Sequence, residues 1–278
     1  MCRIIKATTS VDVKYVHLDE NQADVYGRYF SVVCANTPEL QQQVYRLRYQ
    51  VYCVEHTFEN PYDHFGEQET DEYDCHSVHA ALVHRSSGSV CGCVRLILPG
   101  CGSPLPIIRF VPDHAAAALP TRRMAEVSRY AVSKAFRRRT EESDYPDVHF
   151  GDLGLSELRR LVPHITVGLM LAIATLSEHS GISHLAAVMR PALLRLLRTC
   201  GMKFVTLGPP VEHHGIRQPC FAAVADLLAG VKATNPAYFD VIRHGLARPN
   251  VCKADVTASR AYASPTSQLA VGYVTPPY

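Results

Sequence analysis

The chain has 278 residues, of which 47% are apolar and 19% charged, with a formal net charge of +2. Such a composition buries a core, which excludes a fully disordered or fibrous protein. A near-neutral balance also lacks the basic footprint of a general nucleic-acid binder. The longest mostly apolar run, Ile165 to Leu176, has 12 residues, short of the roughly 20 that span a bilayer. The N-terminal residues show no sustained apolar stretch after their basic residues and do not read as a secretory leader. These features predict a cytoplasmic protein whose ten cysteines are reduced, small and mostly buried. There is no CxxC pair to suggest a zinc ribbon.

In chain order, residues 1–25 lack periodicity and read as a loose arm. Tyr29 to Ala35 is a buried strand. Thr37-Pro38-Glu39 then starts a helix, with Thr as N-cap and Pro at the first helical position. Leu40, Val44, Leu47 and Val51 follow at spacings of 4, 3 and 4, one apolar stripe. Glu55 to Asp74 is a long acidic loop. Ser77 to Arg85 and Val90 to Leu98 form a hairpin around Ser86-Ser87-Gly88-Ser89. Alternation places Val94, Leu96 and Leu98 on one face, and Cys91, Cys93 and Arg95 on the other. The next strand, Met124 to Val132, turns Glu126, Ser128 and Tyr130 one way and Val127, Arg129 and Ala131 the other.

Residues 133–150 are a polar, basic loop. A helix spans Leu155 to Ser180, with a break or kink expected at Pro163 and Gly181 just past its end. Ile182 to Met189 is a strand, Pro191 to Cys200 a short helix, Lys203 to Leu207 a strand and Pro209 to Pro219 a loop carrying His213, His214 and Arg217. Residues 220–246 are a short strand and helical segments. From 248 onward the Ser, Thr, Ala and Pro content reads as a mobile tail. The order predicts a mixed α/β domain over 26–247, one central sheet with helices on both faces.

Charge is uneven along the chain. Eight acids and no Lys or Arg fall between Glu55 and His76, and seven basic residues against Glu126 alone fall between Thr121 and Arg139. Each run is either a solvated face or half of a site where the two meet. Glu126 is a candidate general base on an apolar strand, or else the ion-pair partner of Arg95 or Arg129. Arg95, in CGCVRLILP, needs an anionic partner, with Asp71, Asp74 and Glu126 as candidates, or an anionic ligand. Asp71 and Asp74 face a cationic group or solvent. Cys75, His76, His79, Cys91 and Cys93 are the residues a metal site would use, but their spacing does not match the usual zinc patterns.

Five segments in order, LRYQVY (Leu47 to Tyr52), Phe58, DEYD (Asp71 to Asp74), CVRLILP (Cys93 to Pro99) and EVSRYAV (Glu126 to Val132), resemble the acyl-homoserine-lactone synthases, acyltransferases of GNAT-like fold. Phe58 stands where that family usually has tryptophan. Met189 to Val224, with Leu47 to Glu59, resembles instead the PEP-CTERM/exosortase system-associated acyltransferases, relatives of the N-acyl amino acid synthases.

The resemblance implies a GNAT-like N-acyltransferase that moves a fatty acyl group from a thioester carrier to a small amine. It gives Glu126 the role of base. Arg95, Arg129, Asp71 and Asp74 become the polar network around the acceptor, and Arg48, Tyr52 and Phe58 its N-terminal wall. Backbone N–H groups near Ser128 to Tyr130 become the oxyanion donors. Arg137, Arg138 and Arg139 would meet the acidic surface of acyl carrier protein, the donor preferred over acyl-CoA because no Q/R-x-x-G-x-G/A loop is present. The apolar face of Ile165 to Leu176 is either core or the lining of an acyl tunnel. No bound cofactor, metal, nucleic acid or membrane segment is implied. The alternatives are a lactone synthase using S-adenosylmethionine, a non-catalytic carrier- or lipid-binding protein on the same fold, and a Cys/His metal protein.

Overall fold

The computed structural model describes residues 27–100, 104–134, 155–237, 239–240 and 243, with backbone only over 155–164. The arm 1–25, the tail from 248 and Arg137, Arg138 and Arg139 lie outside the described residues. The first strand, β1 (Phe30–Cys34), leads into helix α1 (Pro38–Tyr49). The Thr37 side chain accepts the Leu40 N–H at 3.3 Å, so the helix begins where its cap residues place it. The chain then winds through a π-helical turn at Gln50–Glu55 and crosses the acidic stretch in three short 3-10 turns, which break the expected loop into compact pieces.

The hairpin β2 (Ser77–His84) and β3 (Val90–Ile97) is followed by a 3-10 turn, Pro106–Phe110, and a short helix α2 (Asp113–Ala116), neither signalled by periodicity. Then come β4 (Met124–Val132), α3 (Leu155–His179), β5 (His184–Met189), α4 (Pro191–Thr199), β6 (Val205–Thr206), β7 (Val211–Glu212), β8 (Ile216–Ala223) and α5 (Val224–Thr234). Helix α3 runs as one element through Pro163, where the sequence predicts a break or kink. The expected loop at Pro209 to Pro219 instead holds β7 and the start of β8, paired through Val211↔Arg217 and Glu212↔Ile216. A two-residue strand and an Ile-Arg-Gln-Pro start carry too little alternation to signal this.

The strands form a mixed sheet in the order β1-β2-β3-β4-β5-β8-β6, with β7 on β8. Among the described residues, only β4 and β5 pair in parallel. Helices α3, α4 and α5 cover one face through a core that includes Leu96, Val127, Leu169, Leu185, Leu197 and Leu227. Helix α1 covers the other face through Val44, Leu47, Cys93 and Ala131, and the Pro106–Phe110 turn covers the same face further along through Ile97, Ile107 and Met124. This is the α/β sheet with helices on both faces that the sequence order predicts. Among the described residues, no helix is long and apolar enough to cross a membrane.

Two irregularities reset side-chain phase. Leu82 opposes Gly92 while Val83 opposes Val90, so Cys91 is an extra residue and faces the α3 core, opposite to Cys93. Cys93 opposes Ala131 while Arg95 opposes Ser128, so β4 carries an extra residue at Arg129–Tyr130. There Arg129 has φ +46°, left-handed backbone that a non-glycine residue rarely adopts. As a result Arg129 sits on the same face as Glu126 and Ser128, and Tyr130 turns to α3, where its hydroxyl meets Thr166 Oγ1 at 2.7 Å. The strict alternation expected for β4 fails at this bulge.

The parallel pairing of β4 and β5 stops at Val127↔Ala187, although β4 continues to Val132 and β5 to Met189. A gap therefore opens between them.

Behind the sheet, Gly201 (φ +89°), just past α4, abuts Gly230 of α5. A Cβ on Gly230 would lie 2.0 Å from the Gly201 carbonyl oxygen. Gly230→Ala should therefore destabilise the protein by about 1–3 kcal/mol, as overpacking does. The expected readout is a lower urea midpoint at unchanged slope.

Candidate active site

The acidic stretch and the sheet meet in a buried ion cluster. Arg48 of α1 is wholly inaccessible. Its Nε reaches Glu69 Oε2, and its Nη1 and Nη2 grip both oxygens of Asp74 at 2.6 and 3.0 Å. Arg95 of β3 donates to Ser128 Oγ at 2.9 Å and from Nη1 to Asp71 Oδ1 at 2.5 Å and Asp74 Oδ1 at 2.9 Å. Arg129 donates to Glu69 Oε1 at 3.0 Å and Glu59 Oε1 at 3.2 Å, with Asp71 Oδ2 at 3.1 Å. Three guanidinium groups and four carboxylates thus satisfy one another. Burial works against the charge of Asp74, but Arg48 and Arg95 more than offset it and hold its carboxyl well below the usual range. The same balance raises Arg48 and lowers Glu69 and Asp71.

The cluster answers the question left open for Asp71 and Asp74: their partners are arginines of the fold. Arg95 pairs with Asp71 and Asp74, not with Glu126. His79, buried beside Arg48 and Asp74, is kept neutral, with its pKa pushed down to about 3 by burial and then by Arg48. Its ring nitrogens have no hydrogen-bond partner among the described residues, the nearest anion being Asp74 Oδ1 at 3.4 Å.

Glu126 is separate from this cluster. It is 5% exposed and its Oε2 accepts the Ile107 N–H at 2.7 Å. The Pro106–Phe110 turn covers it. Burial pushes its carboxyl up to about 7, against the opposing pull of that N–H and of the Arg95 and Arg109 charges.

Glu126 lines a cavity of about 600 Å³ together with Asp71, Arg95, Ser128, Arg129 and Arg109. A second cavity of about 330 Å³ occupies the gap between β4 and β5 and is more apolar, with Val132, Met170, Met189 and Leu193 in its wall. The two share Tyr52, Phe58, Val127, Ser128, Arg129, Val188 and Arg217. Ser128 and Arg129, at the β4 bulge, are thus the partition between a polar chamber and an apolar one.

Tyr52 and Phe58 form the wall toward α1. The Tyr52 hydroxyl donates to the Tyr130 carbonyl at 2.8 Å, and Arg129 lies over its ring at 5.4 Å. Phe58 packs on His56 and His214, each with ring centroids at 5.1 Å, and His214 packs on His213 at 4.6 Å.

Of the residues singled out from the sequence, Glu126, Ser128, Arg129, Arg95, Tyr52, Phe58 and Asp71 line a cavity. Arg48 and Asp74 do not; they lie behind it and hold the wall. The candidate metal residues do not converge: Cys75 and His76 are at the surface side of a turn, His79 is in the ion cluster, and Cys91 and Cys93 face opposite layers. Among the described residues, no group of three His, Cys, Asp or Glu is placed to hold a metal ion. Of the described cysteines, all but Cys75 are buried. Sequence reasoning missed Arg109, Glu59, Glu69 and Arg190. Only the acidic run and the His213–Arg217 loop hinted at any neighbour of the site.

The same architecture recurs in proteins of known structure. Residues 47–143 match the model of the acetyltransferase (GNAT) domain. TofI, solved in a ternary complex with an inhibitor and MTA, superposes with a TM-score of 0.53 at 19% identity, over 75% of this chain and 99% of that one. The fold is that of the GNAT-type acyltransferases. BjaI, a CoA-dependent acyl-homoserine lactone synthase solved with SAM and isopentyl-CoA, gives a TM-score of 0.50 at 19% identity, over 80% of this chain and 91% of that one. FeeM, an N-acyl amino acid synthase, follows at 0.49 and 12% identity, over 73% of this chain and 97% of that one, too remote to weigh between acceptors. No curated protein matches the chain.

Removing one partner from a buried ion cluster strands the others. Arg48→Met should therefore cost about 3–5 kcal/mol of stability, measured by denaturant unfolding. The lowered carboxyls stabilise the fold at pH values above their unfolded pKa, near 4. Wild-type stability should accordingly fall as pH drops below about 4, and that acid dependence should shrink in Arg48→Met.

Proposed function

We propose that the chain is an N-acyltransferase that moves a fatty acyl group from a thioester carrier, acyl carrier protein ahead of coenzyme A, to the amine of an amino acid or similar small acceptor. The observation that carries this reading is Glu126: a buried carboxylate with its pKa pushed up to about 7, not ion-paired with an arginine among the described residues, in the wall of the polar chamber two residues before the partition at Ser128. A base poised near neutral pH suits the removal of a proton from an ammonium group.

In this reaction the acceptor enters the polar chamber and its ammonium gives a proton to Glu126. The amine nitrogen attacks the thioester carbonyl, which reaches the partition from the apolar chamber. A C–N bond forms and the C–S bond breaks. The second amine proton goes to the departing sulfur, so the products are an amide and a free thiol, with one proton released through Glu126. Backbone N–H groups at Ser128 to Tyr130 are the proposed oxyanion donors, since the bulge turns this stretch away from regular pairing with β3 and β5. Arg95, Asp71 and Arg129 hold the acceptor side of the partition, with Tyr52 and Phe58 closing over it. The apolar lining from Met170, Met189 and Leu193 suits the acyl chain. The likeness of Met189 to Val224 to exosortase-associated acyltransferases supports an amino-acid acceptor over S-adenosylmethionine, as does Phe58 at the position where lactone synthases usually carry tryptophan. Arg137, Arg138 and Arg139 remain the proposed carrier-docking residues.

The deciding experiment is mass spectrometry of lipid extracts from cells expressing wild type and Glu126→Gln. An N-acyl amino acid present only with wild type is the expected result. An acyl lactone would transfer the assignment to lactone synthesis, and loss of neither product in the variant would remove Glu126 from the chemistry. With purified protein, kcat/KM should rise with pH and level off above about 7, because the carboxylate form is the active one. Glu126→Gln should lower it about 10²–10⁴-fold and abolish that limb of the profile.

A further inference from the structure

The tip of the β7–β8 hairpin reaches over the polar chamber with little backbone support. Two register pairs hold it, Val211↔Arg217 and Glu212↔Ile216, and so short a two-stranded ribbon is marginal by itself in water. Its turn, His213-His214-Gly215, passes through two successive left-handed residues, with φ +51° at His214 and +88° at Gly215. The hydrogen bonds of the turn close on the turn itself. The His213 N–H donates to the Gly215 carbonyl at 3.1 Å, and the Gly215 N–H donates to Glu212 Oε1 at 2.9 Å.

A ladder of rings joins this tip to the chamber walls. Phe110, on the turn that covers Glu126, meets His213 with ring centroids at 4.9 Å. His213 meets His214 at 4.6 Å, and His214 meets Phe58, on the wall toward α1, at 5.1 Å. His56 stacks on Phe58 in turn. Both hairpin histidines line the chamber and are also exposed to solvent, so the ladder lies at its mouth.

The charges around the tip make the ladder sensitive to protons. Arg217 faces His213 from β8, Arg109 from the Pro106–Phe110 turn and Arg129 from β4. The chamber's acids are Glu126 on β4 and Glu59, Asp71 and Glu72 in the acidic crossing, and the tip adds Glu212. Glu212 already accepts the Gly215 N–H, and Glu59 and Asp71 are paired with Arg129. Glu126 loses its charge as the pH falls below about 7. Burial, then His214 and the three arginines, hold the His213 imidazole below its ordinary pKa. A group whose pKa is lowered in the closed form binds its proton more tightly in the open one, so acid favours opening.

We propose that the β7–β8 tip is a strap across the polar chamber, closed by the Phe110–His213–His214–Phe58 ring ladder and released when His213 takes up a proton. Closed, it bounds the chamber that holds Glu126. Open, it gives passage into that chamber, and the strap rests on the acyltransferase reading above only for the identity of what passes.

The chain contains no tryptophan, so a single introduced one reports alone. Phe110→Trp sets an indole against His213. The variant is first checked for a wild-type circular dichroism spectrum and melting midpoint at about pH 8 and about pH 5.5, either side of the ordinary histidine pKa. Quenching of its fluorescence by acrylamide should be weak at the higher pH and rise at the lower. Adding His213→Gln, which cannot take the proton, should make quenching equal at the two pH values. Adding Glu126→Gln should leave the rise in place. Equal quenching of the reporter alone at both pH values, or a rise that survives His213→Gln, overturns the proposal. So does a rise lost in Glu126→Gln, because the carboxyl would then be the trigger. If Phe110→Trp does not fold, hydrogen exchange of residues 211–217 in the unaltered chain, corrected for the intrinsic pH dependence, gives the same decision: protection lost at the lower pH and retained in His213→Gln is the expected result.

Neither readout needs turnover. A proton-released strap in a chain that forms no amide would sink the acyltransferase reading and leave the strap. Amide formation by a chain whose tip ignores pH would do the reverse.

Discussion

The geometry of the site depends on one buried exchange of charge. Arg48 comes from the helix, Arg95 and Arg129 from two neighbouring strands, and Glu59, Glu69, Asp71 and Asp74 from a single acidic crossing. Each of the three arginines would be costly where it sits without its carboxylates, and the carboxylates would repel one another without the arginines. The acidic stretch from Glu55 to His76 contributes no residue to the buried apolar core, and Tyr62 and Phe65 in it are exposed. Electrostatic pairing therefore does for this segment what a hydrophobic stripe does for α1. It fixes Tyr52 and Phe58 at one end, and Asp71 at the other, against the face of β4.

The second constraint is the bulge. Arg129 reaches the acidic crossing only because one extra residue on β4, in left-handed backbone, brings it to the same face as Ser128. A strand of regular pleat would send Arg129 toward α3 and leave Glu69 with one arginine fewer. Backbone strain of this kind costs on the order of 1–3 kcal/mol and persists where the surroundings over-determine it. Here Glu59, Glu69 and Asp71 hold the side chain, while Tyr52 holds the Tyr130 carbonyl. Bulge and cluster are thus one device. The gap between β4 and β5 begins next to it, so the partition between the chambers is also its product.

This explains what was legible in the sequence and what was not. The cap and stripe of α1 are local signals, and the helix starts at Pro38 as they require. The alternating hairpin and the apolar run at Ile165 to Leu176 are likewise read correctly as sheet and helix. Glu126 stood out as the one acid of a basic stretch. Its environment did not, because its hydrogen-bond partner Ile107 lies nineteen residues away on a turn with no periodicity. Phase errors at Cys91 and Arg129 share a cause: a bulge breaks the two-residue period without altering composition. The pairing of β7 with β8 is set by tertiary register that short strands do not announce.

The saturation of the three arginines then carries a chemical argument. Arg48, Arg95 and Arg129 each engage at least two carboxylates. None can bind an incoming anion without breaking an ion pair that holds the fold, so the set is suited to structure. The same saturation bears on Glu126. An uncompensated guanidinium against that carboxylate would lower its pKa and weaken it as the proposed base. With Asp71 and Asp74 taking up Arg95, burial outweighs the pull of Arg95 and Arg109 and the Glu126 carboxyl is pushed up to about 7.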